Sequence, residues 1–464
     1  MTERAIRDLK PTQRTETRTE EDSAAGWLRR LSAAEVSSRE LVAHVLERID
    51  ELNPRVNAVV ARDDEASLAA ADLADRARRD GESRALLGLP VTVKDSIEAA
   101  GLPSTSGSFA RAGFTPERDA TVVARLRDAG AIVVAKTNVP EYTWSYETEN
   151  VLHGRTVHPA DPERTCGGSS GGEAALLGVG ASIAGIGSDG GGSIRVPSHY
   201  CGTAGLRPTA GLVPETGVWP ATRATGMLDM NAVGPMARTI EDLALLLPVL
   251  AGADGVDPFV HDAALPEAPA SLRVGFYTHD GVCRVSEGTR EAVEAAAACF
   301  ADAEEVEPPD VSEATELFFA LMAADGGEQA RRDLAPAAGR HVLQLASLLE
   351  NLQPLACDAT AFFALVRRMF AFRARVRAFV ARYDVVLAPV TTGPAPPHGC
   401  VPGAEAPLDS YDAFNYTHAY SLAGLPVAVV RAGTERGLPL GVQIVANPFH
   451  DRVALAAAAA VHWA

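Results

Sequence analysis

The chain has 464 residues, with 60 Asp+Glu against 42 Lys+Arg, a formal net charge of −18 at pH 7 and 47% hydrophobic residues. Such an acidic surplus, without a long basic run, excludes a nucleic-acid-binding role, because phosphate contacts need clustered cations. The six cysteines contain no Cys-x-x-Cys pair and fit neither a disulfide framework nor a zinc site, and the apolar runs at 243–251 and 454–463 are too short to span a bilayer. The expectation is a cytoplasmic protein in a reducing compartment, with no cofactor, no metal and no membrane span.

In chain order, residues 1–24 read as a disordered tail, charged and threonine-rich with no apolar core. Residues 25–80 read as helices. Ser38 is placed to cap the run 40–52, where Leu41, Val42, Val45, Leu46 and Ile49 recur at helical spacing, and a second helix covers 64–80. The pattern then alternates: short apolar runs at 87–93, 131–135 and 182–187 predict strands, and 120–129 and 172–177 predict helices between them. Further strands are predicted at 273–277, 385–390, 427–430 and 440–445. The stretch 278–383 reads as mostly helical and is expected to cover the site or supply part of a pocket. Within it, Arg367, Arg368, Arg373, Arg375, Arg377 and Arg382 share an amphipathic helix with Phe362, Phe363, Met369 and Phe370, and predict a solvated basic face. Residues 264–270 are the predicted linker.

Two glycine loops that carry serines flank the 172–177 segment: Cys166-Gly167-Gly168-Ser169-Ser170-Gly171-Gly172-Glu173 before it, and Gly187-Ser188-Asp189-Gly190-Gly191-Gly192-Ser193-Ile194-Arg195 after it. This layout suits acyl transfer. Glycines let backbone N–H groups approach a developing oxyanion, and Ser193 stands where it can attack the carbonyl that they polarise. The base is suggested by composition, since Lys10, Lys94 and Lys136 are the only lysines among the 42 basic residues. Arginine stays protonated, whereas a buried lysine can lose its proton and act as a base. Lys94 ends the 87–93 strand, where sheet-based sites are built, and is the stronger candidate.

At these residues the chain resembles the amidase signature family, in which a lysine after a strand, a serine in Gly-Gly-Ser-Ser-Gly-Gly held by a cis peptide and a nucleophilic serine in Asp-x-Gly-Gly-Ser-x-Arg make up the active site. The resemblance runs on through Lys136-Thr137-Asn138, the 201–209 segment, Leu387-Ala388-Pro389, Gly424-Leu425-Pro426 and 437–443, from about residue 25 to the C-terminus. It implies one α/β/α domain over 25–464 around a large mixed, twisted sheet. Carried across by position, it makes Ser193 the nucleophile, Ser169 the bridging acid/base and Lys94 the ultimate base. That role needs a neutral lysine near pH 7, about three units below its usual ~10.4, or roughly 4 kcal/mol of bias, so Lys94 is predicted to be deeply buried. The N–H groups of Gly190, Gly191, Gly192 and Ser193 would hold the oxyanion. Asp189 and Arg195 would fix the loop as an ion pair, with Ser170 in support, and Asp95 would either orient the lysine or cap a turn. Tyr142, Thr143 and Trp144 are the substrate-binding candidates. Here the resemblance leans toward the fatty acid amide hydrolase branch, which implies a small-molecule amide with an apolar or aromatic acyl portion. Homodimers are frequent in that family, which makes a homodimer one assembly that the resemblance allows, although no interface is identified in the sequence. Gly190, Cys166 and Ser421 depart from the family's usual residues.

Four other readings compete, one of them a catalytically silent binding protein, against which the intact Lys94, Ser169 and Ser193 set speaks. Gly168-Ser169-Ser170-Gly171-Gly172 fits the Gly-x-Ser-x-Gly nucleophile elbow, which would make Ser170 the nucleophile with a histidine such as His418 or His450. Gly185-Ile186-Gly187-Ser188-Asp189-Gly190 fits a dinucleotide fingerprint. The glutaminase subunit of a tRNA-dependent amidotransferase shares the resemblance and would pass ammonia to a partner.

Overall fold

The computed structural model describes residues 22–221, 226–401 and 408–461. Its strands are β1 (Val59–Ala61), β2 (Pro90–Lys94), β3 (Ile132–Thr137), β4 (Glu149–Asn150), β5 (Gly154–Arg155), β6 (Ala184–Asp189), β7 (Ala204–Arg207), β8 (Ala232–Ala237), β9 (Val274–Phe276), β10 (Glu304–Glu305), β11 (Val385–Pro389), β12 (Val427–Glu435) and β13 (Leu438–Ala446). The helices are α1 (Ala24–Ser32), α2 (Ser38–Val56), α3 (Asp64–Arg79), α4 (Thr121–Asp128), α5 (Gly171–Gly178), α6 (Arg195–Cys201), α7 (Ile240–Leu250), α8 (Glu287–Ala297), α9 (Ala314–Met322), α10 (Glu328–Leu334), α11 (Leu343–Leu352), α12 (Ala359–Val380), α13 (Asn415–Ala423) and α14 (Asp451–Ala460).

Among the described residues, eleven strands form one mixed sheet in the order β1-β3-β2-β6-β8-β7-β12-β13-β11-β9-β10. β2 runs parallel to β3 on one side and to β6 on the other. All residues of these three strands are buried, as expected of strands covered on both faces. The chain thus leaves β2 for a neighbour on one side and returns on the other, which opens a crevice at the carboxyl ends of β2 and β6. The two-residue period of the strands divides the apolar residues between two cores. Leu387, Ala428 and Ile444 face the core shared with α2, α5, α7 and α14, whereas Val386, Ala388, Val427, Val429 and Val445 face the one shared with α9, α12 and α13.

Several local expectations are corrected. Ser37, not Ser38, caps α2: its hydroxyl accepts from Glu40 N at 3.1 Å and the Glu40 carboxylate accepts from Ser37 N at 2.8 Å, a complete capping box. The helical reading of 25–80 is interrupted by β1, which pairs antiparallel with β3. Residues 22–24 do not belong to the tail expected for 1–24, because the Ser23 hydroxyl caps α1 and Trp27 packs into the core; residues 1–21 lie outside the described residues. β7 and β8 were not predicted at all. The basic face of α12 is only partly solvated: Arg373 forms a bidentate pair with Asp229 at 2.8 Å and donates to Leu422 O, and Arg377 donates to Ala423 O, so both hold the end of α13. The buried face of that helix is Met369, Phe372, Val376 and Phe379, while Phe363 and Phe370 point outward. Residues 264–270 carry no regular structure, and no described helix is long and apolar enough to cross a membrane.

Candidate active site

Lys94 closes β2 and is fully buried. Its Nζ lies 2.6 Å from Ser169 Oγ, 3.0 Å from Ser188 Oγ and 3.4 Å from Ser188 O. The charged amine donates to all three oxygens, and once neutral it can keep its two N–H groups on the Ser188 oxygens and accept from the Ser169 hydroxyl with its lone pair. Burial drives the lysine down to about 7, against an opposing pull from the Asp189 carboxylate. Ser169 sits two residues before α5, after a cis Gly168–Ser169 peptide.

Ser193 lies in the loop that joins β6 to α6. Asp189, at the end of β6, shapes that loop by accepting from Gly192 N at 2.7 Å, Ile194 N at 3.1 Å and Arg195 N at 3.2 Å. Gly192 has φ +137°, and a Cβ there would lie 2.8 Å from the Thr417 hydroxyl, so the position requires glycine. Burial alone would raise the Asp189 carboxyl, but Arg195, bound through Nε at 3.0 Å and Nη2 at 2.8 Å, and Arg207 at 3.7 Å hold it well below the usual carboxylate range. Arg195 reaches on to Thr417 O at 2.9 Å and Ser421 Oγ at 2.6 Å. The residue that departs from the family pattern at 421 thus receives the guanidinium. The two glycine loops meet where Ser170 N donates to Ser193 O at 3.0 Å.

Ser169, Ser193, Gly190 and Gly191 border one cavity. The Ser193 hydroxyl is partly exposed there and makes no hydrogen bond to Ser169 or Lys94. Of the four N–H groups expected at the oxyanion, that of Gly192 is already given to Asp189, which corrects its assignment. Those of Gly190, Gly191 and Ser193 make no hydrogen bond among the described residues. Thr143 and Trp144 line the cavity, whereas Tyr142 does not. Tyr142 stands behind the wall, edge-on to Trp144 and Trp219, with its hydroxyl donating to Asp333 at 2.7 Å. The rest of the wall escaped sequence reasoning: Trp219, Met227, Phe318, Phe319, Met322 and Tyr411 come from four distant segments. Ser188, the second partner of Lys94, carried a legible signal in its place next to Asp189 on a strand parallel to β2.

The other candidates fall elsewhere. Ser170 is buried away from the cavity, its hydroxyl accepting from Ser188 N at 3.3 Å and donating to Ser188 O at 3.2 Å. His418 is tied to Tyr146 and Thr315 and pushed down to about 3 by burial, with Arg195 adding to the shift; His450 bonds Pro448 O. Neither histidine contacts Ser170. The Gly185–Gly190 run lies largely inside β6, where it packs against Glu173 and Met236 and offers no phosphate-binding turn. Asp95 caps a turn, accepting from Thr105 N, Thr105 Oγ1 and Gly107 N. Lys136 is buried and brought down to about 8, chiefly by burial, but donates to Asp95 O, Ile97 O and Ser104 Oγ, away from the cavity.

The profile of the family described as Amidase matches residues 40–455. The chain is 32% identical over 459 residues to a glutamyl-tRNA(Gln) amidotransferase subunit of Desulforudis audaxviator (strain MP104C), covering 91% of each. It is 32% identical over 462 residues to the indoleacetamide hydrolase of Bradyrhizobium diazoefficiens (strain JCM 10833 / BCRC 13528 / IAM 13628 / NBRC 14792 / USDA 110), covering 95% of this chain and 86% of that one. Among solved structures, a 6-aminohexanoate cyclic dimer hydrolase complexed with substrate superposes with a TM-score of 0.84 at 25% identity, over 95% of this chain and 97% of that one. A buried lysine on a serine, a glycine loop shaped around a second serine and a family match along most of the length lead to one conclusion: the chain belongs to the amidase family and is an amide hydrolase.

Proposed function

We propose that the chain cleaves a carboxamide through an acyl-enzyme on Ser193, with Lys94 as base and Ser169 carrying the proton between them. The observation that supports this most is the 2.6 Å contact between Ser169 and a lysine whose burial brings it to about 7. In the first step the Ser193 hydroxyl turns toward Ser169 and attacks the amide carbonyl. Its proton passes to Ser169 Oγ as the Ser169 proton passes to Lys94 Nζ. The carbonyl oxygen becomes an oxyanion held by the N–H groups of Gly190, Gly191 and Ser193. The relay then runs backwards: Ser169 protonates the leaving nitrogen as the C–N bond breaks. Water, deprotonated along the same route, hydrolyses the ester and restores Ser193.

The substrate we infer is a small amide with an apolar or aromatic acyl portion. Trp144, Trp219, Phe318, Phe319, Met322 and Tyr411 give the cavity an apolar, largely aromatic wall, and one relative is named for indoleacetamide. The lean toward the fatty acid amide hydrolase branch rests on the 137–146 segment, of which Thr143, Trp144, Ser145 and Tyr146 line the cavity. A second reading, the glutaminase subunit of a tRNA-dependent amidotransferase, is favoured by the 32% identity to a protein of that name. Against it stands the cost of desolvating the charged ends of glutamine, for which the described lining residues offer no side chain of opposite charge. A panel of aryl, fatty, amino-acid and simple carboxamides, assayed for amine release with Ser193→Ala as control, tests both. The expected result is turnover of aryl or apolar amides that Ser193→Ala abolishes. Turnover of glutamine alone, with or without an added partner protein, would replace the substrate assignment.

A further inference from the structure

The segment that leads into Ser193 is a run of three glycines, Gly190, Gly191 and Gly192, the composition that leaves a backbone least fixed. Asp189 pins it from one side by accepting from Gly192 N at 2.7 Å. A residue that the proton relay does not use pins it from the other: the Tyr146 hydroxyl donates to Gly191 O at 2.9 Å. The Gly191 carbonyl and the Gly192 N–H belong to one peptide plane, so the two contacts hold that plane at both edges and oppose its rotation. Among the described residues no other donor reaches Gly191 O.

The surroundings of Tyr146 are shaped to this contact. A Cβ on Gly191 would lie 2.7 Å from Tyr146 Oη, so only glycine admits the hydroxyl. The ring is buried and stacks on Phe414 with 3.9 Å between centroids. Burial holds the phenol well above its ordinary range, with the Asp189 charge adding to the shift, so it keeps its proton. A phenol has one proton to give. With that proton on Gly191 O, His418 Nε2, 2.8 Å away, must be a donor, which sets a histidine that burial keeps neutral in its Nε2–H form.

The N–H groups of Gly191 and Ser193 sit in the peptides on either side of the pinned one, so its orientation sets where both point. Resting on the reading of Ser193 as nucleophile, we propose that Tyr146 is a positioning residue: by holding Gly191 O it aims the N–H groups of Gly191 and Ser193 at the oxyanion of the tetrahedral intermediate, and His418 orients its hydroxyl. Donors already aimed when charge develops stabilise the transition state without reorganising. Tyr146 therefore acts on kcat and leaves the binding of the intact amide alone.

Tyr146→Phe keeps the ring and removes the hydroxyl. On phenylacetamide it is expected to lower kcat about 10-fold, with KM within about 2-fold, a smaller loss than the roughly 100-fold or more that follows outright removal of an oxyanion donor. Benzylboronic acid has the same apolar group, and its boron takes the Ser193 oxygen and presents a tetrahedral, negatively charged oxygen to the loop. It should bind Tyr146→Phe about 10-fold more weakly than the native enzyme, whereas calorimetry should give phenylacetamide the same affinity for Ser193→Ala with and without Tyr146→Phe. An unchanged kcat, a lowered kcat with benzylboronic acid affinity unchanged, or equal losses of affinity for the amide and the boronic acid would each overturn the proposal. If Tyr146→Phe does not fold, the crystal structure of the native enzyme with benzylboronic acid decides. The boronate oxygen is expected on the N–H groups of Gly191 and Ser193 with Gly191 O still on Tyr146 Oη, and a Gly191 carbonyl turned away from Tyr146 would overturn it. Undiminished benzylboronic acid binding by Ser193→Ala would remove the nucleophile reading instead, and the kcat and KM of Tyr146→Phe would still judge Tyr146.

Discussion

Lys94 is held where an ammonium ion is most costly and has only hydroxyl and carbonyl neighbours. Its fall to about 7 has two consequences with opposite readouts. The base works in its neutral form, so kcat/KM is expected to rise with pH through about 7 and then level off. Lys94→Arg, which cannot deprotonate, should lose about 1,000-fold or more. For stability, the unfolded chain holds the lysine proton up to ~10.4 and the folded chain releases it near 7, so stability climbs with pH across that window. Lys94→Met carries no such proton. It should gain on the native protein by up to roughly 4 kcal/mol at pH 7, less the cost of the orphaned serine hydroxyls, and the gain should vanish toward pH 10. Thermal melts of both proteins at several pH values measure this, and a constant difference would count against a neutral lysine. Ser169 and Ser193 were legible as candidates from the glycine runs around them, and Lys94 from the scarcity of lysine and its place at the end of an apolar strand. Trp219 and Tyr411 were not, since which side chains line a cavity is decided only when distant segments pack together.

At the level of elements, α5 lies against β2, β3 and β6 through a buried acid. Glu173 meets Thr92 Oγ1 in a short hydrogen bond and accepts from Thr137 Oγ1 at 2.9 Å. Burial lifts its carboxyl to about 7, against the hydrogen bonds from the two threonines. The close approach requires Gly185 on β6, where a Cβ would lie 2.0 Å from the carboxyl. The sign is the reverse of that for Lys94. The folded chain keeps a proton that the unfolded chain loses near ~4.3, so this contribution to stability is complete below that pH and is lost as pH rises through about 7. Glu173→Gln is expected to melt close to the native protein at pH 5 and above it at pH 8, whereas a pH-independent difference would show the acid ionised throughout. Strands that read as continuous apolar runs rich in Val and Ile, such as β2, β3, β11 and β13, were predictable. β7 and β8 were not, because Ala204-Gly205-Leu206-Arg207 and a run containing Pro235 carry weak strand propensity. Their pairing comes from neighbours on both sides and from the Arg207 charge meeting Asp189 in the interior.

Across the whole molecule, the sheet interleaves distant parts of the chain, with β7 from the middle paired to β12 near the C-terminus. Neither half can complete the sheet alone. Residues 25–464 are accordingly proposed to unfold as one unit, and calorimetry should record a single transition; two resolved transitions would divide the chain into separately stable parts. The helical stretch 278–383 was legible as helix and as a part of the pocket, but the residues that serve it were not, because Phe318, Phe319, Met322 and Leu348 reach the wall only through the packing of α9 and α11.

β9 and β11 are hydrogen-bonded neighbours in parallel register, yet nearly all of that helical excursion is inserted between them. The insert leaves the carboxyl end of β9, adds the two-residue β10 to the sheet edge and returns to the amino end of β11, and it carries Phe318, Phe319, Met322 and Leu348 but not Lys94, Ser169 or Ser193. Evolution, or a protein engineer, can therefore treat it as an exchangeable cassette: grafting another such segment between the same two strands would retune which acyl groups are admitted while the bond-breaking apparatus stays where it is.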